Sequence, residues 1–452
     1  MVPGQRGRRV AAVSAAALLL AAACTDADPS ADETAPPTAG EDAVADLDCG
    51  DGEPIAQTLS SGATWSMCWQ VDPKQGLVFT DVRFAPVGRE PIGVLASLSL
   101  AQLEVPYDTG ERLTSDITSA GFGGRRMHTL TETECVGDRI GIAVPDVGDG
   151  SFGESPVREV LCSEVTDGGL AYRSRDGGRL HVARRTDWQL SAISKVGWYE
   201  YISQYTFGAD GTIRADLGAT GDLSPVDYTD EDHGHAIGPG ESDHAASHSH
   251  NAVWRVHWAL GGSGGLAVEQ YDAEPTGEQG PQAPVVAGRL TPLEFPATAQ
   301  WVDRRWWRVV APDVLNDDGH PISYQINVEA TDSFTFVPDG HTHGEEAGYD
   351  VAFTNHDECE VFATGNRGGC GDGVLDYVAD GAGEPLDDVV SWVAVGFHHV
   401  VRDEDQSPMD VHWQGFSLTP RDLTAQRPDP PEDREDLNGR PPDPEAWPGP
   451  ED

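Results

Sequence analysis

Most of this chain is a succession of short runs in which apolar and polar residues alternate, separated by glycine-rich turns. GLVFTDVRF, IGVLASLSL, YEYISQYTF, AVWRVHWAL, SYQINVEA and VVSWVAVGF are runs of this kind; GADG, GGSGG and NDDG punctuate the sequence between such runs. A period of two sends alternate side chains to opposite faces of a strand, and no long stretch carries a period of 3.6. The pattern predicts an all-β fold, most simply a large antiparallel β-sandwich. The 52 Gly and 32 Pro agree with strands and turns over long helices.

A chain of 452 residues can bury one large β domain or two to three ordinary ones. Residues 25–45 are acidic, rich in Pro and Ala and free of aromatics, and read as a disordered tether. Residues 422–452 are likewise acidic and rich in Pro and read as a solvated tail. Between them, 46–421 reads as one continuous globular region without an internal repeat. Within it, 229–247 is an acidic, Gly/His-rich loop, and 261–288 suits an extended hairpin arm. The formal charge of -47 repels phosphate backbones, so nucleic acid is excluded as a partner, while small cations are attracted.

The N-terminus reads as an export signal over 1–24. Arg6, Arg8 and Arg9 precede an apolar run too short for a membrane span, and the run ends at Cys24. LLLAAAC resembles a bacterial lipoprotein processing site, with Cys24 the lipidated residue; the alternative is an ordinary secretory signal. Either puts the chain outside the cytoplasm, secreted or anchored to the membrane through lipid alone. Of the 7 cysteines, setting Cys24 aside leaves an even number, which in an exported chain suggests disulfides. Neighbours in sequence give Cys49–Cys68, Cys135–Cys162 and Cys359–Cys370, one of 15 connectivities.

The histidines carry the first chemical signal. His233/His235, His248/His250 and His341/His343 are H-x-H pairs, a spacing that on a strand puts both imidazoles on one face. Only His248/His250 leads into an alternating run, NAVWRVHWAL. Imidazole suits copper and zinc, and a third ligand is available in His399, at the end of VVSWVAVGF. Its neighbour His398 points the other way on a strand.

Several segments together resemble the copper-containing amine oxidases. VGWYEY is similar to that family's cofactor motif, and YTFGADGTI and GATGDL follow it as they do in the family. HSHNAVWRV resembles the H-x-H segment; GGCGDGVLDYVADG, DDVVSWVAVGFHHVVRDEDQSPMD and VHWQGFSLTP resemble the closing block. The resemblance implies that Tyr199 is the precursor of topaquinone, made by copper and dioxygen, and that His248, His250 and His399 bind Cu(II). From VPYD it implies that Tyr107 hydrogen-bonds the quinone, and from SDITSAGFG that Asp116 is the catalytic proton acceptor. It also implies the Cys135–Cys162 disulfide, a homodimer, and a chain holding the catalytic domain without the small N-terminal domains of the long members. Departures from the family pattern are Trp198 in place of the Asn before the cofactor Tyr, Thr118-Ser119-Ala120 within the base motif, and His257-Trp258-Ala259 where the family has a peripheral calcium Asp-x-Asp.

Oxidising a primary amine with O2 requires a carbonyl that forms a Schiff base, an electron sink and a base for the α-proton. Side chains supply the base, and the quinone expected from Tyr199 supplies the rest. Two other readings stand beside this one. The first is a copper-binding lipoprotein of the same fold without a quinone, marked by Trp198. The second is a metal-storage protein built on its His clusters.

Overall fold

Alternation of buried and half-buried side chains along each run drives strand formation, and the chain builds two large antiparallel sheets from those runs. The computed structural model describes residues 43–148, 150–176, 179–225, 231–240, 243–262, 264–328 and 348–428. All of them fall within one compact unit, Thr38–Asp452. The expected signal with Cys24, nearly all of the tether, His341 and His343, and the tail beyond 428 lie outside these residues.

Among the described residues the first sheet has nine strands. Its main path runs β1 (Glu53–Thr58), β2 (Thr64–Asp72), β3 (Gly76–Ala85), β4 (Ile92–Pro106), β13 (His248–Trp258), β20 (Val389–His399), β19 (Val351–Asn355) and β16 (Ala297–Ala299). The short β5 (Leu113–Ser115) pairs with the end of β4. The second sheet has ten strands: β15 (Pro284–Leu293), β14 (Ala267–Gln279), β17 (Trp306–Leu315), β18 (Pro321–Val328), β21 (Met409–Arg421), β10 (Ile213–Gly221), β9 (Tyr199–Gly208), β8 (Arg179–Val196), β7 (Val157–Asp176) and β6 (Asp138–Ala143). The architecture is the all-β antiparallel one that the alternation predicts. Among the described residues helix is local, the longest piece being α1 (Val374–Asp380).

The inner faces of the two sheets share one core. Trp65 lies 5.2 Å from Phe207, Phe79 4.9 Å from Tyr205, and Trp254 5.4 Å from Phe416, ring centre to ring centre across the sheets. Each such side chain contributes roughly 1.5–3 kcal/mol by burial. The Trp65 indole N–H donates to the Gly208 carbonyl at 2.9 Å, so its polar end is satisfied inside the core.

Three disulfides join Cys49 to Cys68, Cys135 to Cys162 and Cys359 to Cys370, the connectivity given by sequence neighbours. The arm expected over 261–288 is the hairpin of β14 and β15, paired from Val268–Leu293 to Gln279–Pro284 and exposed along most of its outer half. Part of the Gly/His-rich loop forms a two-stranded ribbon, β11 (Gly234–Ala236) with β12 (His244–Ala246). Leu423, assigned to the tail from composition, is buried at 4% exposure in the core. The body therefore extends past 421.

Candidate copper site

The site forms where the two sheets face each other. On β9 the residues alternate buried and half-buried, so Tyr199, Tyr201 and Tyr205 point inward and Glu200 outward. Glu200 is held there by His128 Nε2 and Lys195 Nζ, both at 2.7 Å. Opposite, β13 presents His248 and His250 at 2% and 1% exposure. In the antiparallel register His248 pairs directly with His399 of β20, which puts their side chains side by side. His399 is buried at 2%, while His398 turns away and meets Asp108 at 3.0 Å.

His248, His250 and His399 each bring a ring nitrogen into one group whose members lie within 4.8 Å of one another. Hydrogen bonds show which nitrogen is free to ligate. His248 Nδ1 is taken up by the Ala246 carbonyl at 3.1 Å, leaving Nε2 for the group. His399 Nε2 bonds Asp405 Oδ2 at 2.9 Å, leaving Nδ1. His250 Nδ1 lies 3.5 Å from the Tyr201 hydroxyl, and its Nε2 is buried without a hydrogen-bond partner. A buried polar atom left bare costs on the order of 1–3 kcal/mol, which a metal ion would relieve. Burial, then the neighbouring imidazoles, push His248 down to about 3 and His250 well below the usual histidine range. Burial also lowers His399, against the pull of Asp405. All three rings are thus neutral, the form that donates a lone pair. Three neutral imidazoles held from behind by carbonyl, carboxylate and phenol fit Cu(II).

Tyr199 lies against this group. Its hydroxyl is 2.8 Å from His248 Nε2 and 3.4 Å from His399 Nδ1, the same two atoms that are free to ligate. Trp198 before it is 47% exposed, so the replacement for the family's Asn does not fill the site. Gly221 takes φ +100° and packs so closely on the Trp198 carbonyl and Glu200 amide that a Cβ there would lie 2.8 and 3.0 Å from them. Glycine is required for β10 to end beside the start of β9.

Tyr107 lies flat on His248, with ring centres 4.8 Å apart, and Arg112 covers Tyr107 at 4.5 Å. Asp116 opens a single π-type turn, Asp116–Ala120, at 6% exposure. Its Oδ2 accepts from the Tyr201 hydroxyl at 3.4 Å. Burial pushes its carboxyl up to about 6, opposed by hydrogen bonds from Thr114 and Tyr201. Tyr201 stacks on Tyr199 at 5.7 Å and so stands between Asp116 and His250.

The family model "Copper amine oxidase, enzyme domain" matches residues 57–431. The chain belongs to the copper amine oxidase family. Members of this family use Cu(II) and topaquinone, and His248, His250 and His399 form the candidate copper site. A histamine oxidase of Arthrobacter globiformis is 27% identical over 397 residues, 81% of this chain and 56% of that protein. Primary amine oxidase 2 of Arabidopsis thaliana is 24% identical over 84% of this chain and 59% of its own length. The chain thus spans little more than half the length of these relatives. The fold is similar to that of a copper-containing benzylamine oxidase from Hansenula polymorpha, with a TM-score of 0.69 at 22% identity, covering 82% of this chain and 62% of that one.

The structure brings together His248, His250, His399, Tyr199, Tyr107 and, through Tyr201, Asp116. His233 and His235 are exposed on or beside the β11–β12 ribbon and belong to no ligand group among the described residues. Sequence reasoning missed Asp405, His412, which meets Asp405 Oδ1 at 3.2 Å, and Gln414. The Gln414 amide donates to the His250 carbonyl at 3.0 Å and the Val395 carbonyl at 2.9 Å, tying β21 to the strands that carry the ligands. It also missed Tyr201, which the period of two already placed on the face of Tyr199.

Proposed function

We propose that this chain is a primary-amine oxidase, converting a small amine, O2 and water to the aldehyde, ammonia and hydrogen peroxide. One observation carries the reading: the Tyr199 hydroxyl lies 2.8 Å from His248 Nε2, at the edge of a buried three-histidine cluster in which His250 Nε2 has no hydrogen-bond partner. His248, His250 and His399 would hold Cu(II), and Tyr199 would be the residue converted to topaquinone. When bound, copper with O2 would supply the oxidant for the Tyr199 ring, and the quinone would supply the carbonyl and the two-electron sink that ordinary side chains lack.

The remaining roles belong to the chain's own groups. Asp116, buried and raised to about 6, is ionised near neutrality and accepts the α-proton. Tyr107, stacked on His248 and covered by Arg112, would hydrogen-bond the quinone. Glu200 anchors β9 from its outer face. The two facing sheets bury His248, His250 and His399 away from bulk water and keep the imidazoles neutral. The formal charge of -47 raises the local concentration of protonated amines. The Arg-flanked apolar run ending at Cys24 and the three disulfides support a location outside the cytoplasm, with lipid on Cys24.

The test is to purify the mature chain free of metal, add Cu(II) in air and record the visible spectrum before and after phenylhydrazine. A new band that shifts with hydrazine in the wild type, and no band in Tyr199→Phe although copper is retained, supports the reading. Copper uptake by the wild type without such a band would sink it in favour of a copper binder of the same fold.

A further inference from the structure

The candidate base sits on a weak local structure. The segment Asp116–Ala120 is one short π-type turn, at whose end the Gly121 N–H donates to the Asp116 carbonyl at 2.8 Å. A one-turn π segment has little persistence by itself, and no side chain caps its start. Yet a base must be held to a fraction of an ångström to act on an α-proton.

We propose that Gln102 is the positioning residue that holds Asp116 in place, an inference that rests on the amine-oxidase reading above. Gln102 lies in β4 with 0% exposure. Its Oε1 accepts the Ile117 amide at 3.2 Å and the Leu103 amide at 3.0 Å. Its Nε2 donates to Thr118 Oγ1 at 3.0 Å, and to the carbonyl and hydroxyl oxygens of Thr364 at 2.9 and 3.1 Å. One side chain therefore grips the turn at the two residues after Asp116 and fastens it to the loop closed by the Cys359–Cys370 disulfide. Lys74 Nζ holds the turn from another side, donating to the Thr118 carbonyl at 3.0 Å.

The role needs an amide. Its oxygen and nitrogen act at once, as acceptor for the buried Ile117 N–H and as donor to two threonines. A carboxylate of the same shape can only accept, so it would lose the bond to the Thr364 carbonyl, force the threonine hydroxyls to turn, and add a negative charge near Asp116. An apolar isostere would leave the Ile117 N–H bare. The other groups acting on the Asp116 carboxyl are Thr114, Tyr201, Arg112 and Arg126. Gln102 touches neither a copper ligand nor Tyr199 in any of these bonds, so its loss reads out on proton abstraction and not on cofactor assembly.

The experiment uses the copper-loaded enzyme with Gln102→Met and Gln102→Glu. For each, copper per chain and phenylhydrazine-reactive quinone are measured beside kcat, KM, the isotope effect with an α-deuterated amine, and the pH profile of kcat/KM. In Gln102→Met we expect wild-type copper and quinone, kcat lower by about 10²-fold, KM little changed and a larger isotope effect. In Gln102→Glu the acid limb of the profile moves to higher pH. Wild-type kcat and an unmoved acid limb in both variants would overturn the proposal. So would a loss of kcat in step with lost copper and quinone, because that marks a residue of the general scaffold. A wild type that never forms the quinone fails earlier, at the functional reading, and takes this inference with it.

Discussion

Strand β13 carries histidines at both ends, and the two ends have opposite chemistry. At its start, His248 and His250 lean towards His399, and the cluster is left with nitrogens facing one another. At its far end, His257 stacks on His356 at 4.1 Å, but here one nitrogen of each ring is held by a charged side chain. His257 Nε2 meets Asp388 at 2.8 Å, and Arg255 donates to His356 Nδ1 at 2.7 Å. A carboxylate and a guanidinium supply the charge that a cation and its ligands would supply elsewhere. Two histidines in contact do not make a metal site; ring nitrogens without a permanent partner do. At the candidate copper end the carboxylate is one step further back, where Asp405 grips His399 from behind. The far end is also where the family resemblance places a calcium Asp-x-Asp, and where this chain has His257 and Ala259.

The comparison is broken most directly by truncating one histidine at each end. His250→Ala removes the ligand whose Nε2 is bare, so the variant is expected to lose stoichiometric copper and, with it, the hydrazine-sensitive band. His257→Ala is expected to keep both. Metal analysis after dialysis decides it, and retained copper in His250→Ala or lost copper in His257→Ala would contradict the assignment.

Carboxylates sharpen the same contrast. Asp388 is paired with an imidazole, whereas Asp116 is buried beside the Tyr201 hydroxyl and is raised to about 6. A base must be ionised, so kcat/KM should fall as pH drops through about 6 and level off above it. Asp116→Asn should lower kcat/KM by about 10²–10⁴-fold while leaving copper and quinone in place. An unchanged rate would remove Asp116 from the reaction.

The parts of this site that were legible in sequence are those set by local rules. A period of two fixed His248 with His250, separated His399 from His398, and aligned Tyr201 with Tyr199. Disulfides between cysteines 11 to 27 residues apart were legible for the same reason. What was not legible acts across long separations. Gln102 meets Thr364 262 residues away, and Gln414 meets His250 164 residues away. Pairing of β4 with β13, and of β13 with β20, likewise has no local signature, because any strand with one apolar face can pair with many others. Leu423 was misplaced because it is one apolar residue in an acidic, Pro-rich stretch, and only packing shows that it is core.

Asp405 tests whether the supporting carboxylate matters at the metal end. It is fully buried, shared between His399 and His412, and receives the Arg402 amide at 2.9 Å. Its bond to Nε2 leaves the His399 Nδ1 lone pair facing the cluster. Asp405→Asn keeps the size but weakens that bond, and copper affinity by competition with a chelator should drop by about 10–100-fold. Affinity equal to wild type would mean that the register of β20 alone orients His399.

The smallest effect is expected at the other end. Asp388→Asn breaks the pairing with His257, but the Asp388 side chain is 34% exposed, so solvent already screens much of that attraction. The cost should be about 1 kcal/mol or less, which in a body of this size is a shift in Tm of about 2 °C or less. Copper content and turnover should not move, and added calcium should restore nothing, because the Arg255 guanidinium already provides positive charge at this end. A calcium-dependent rise in Tm of the wild type, or loss of copper in Asp388→Asn, would show that the two ends of β13 are not as different as their hydrogen bonds make them.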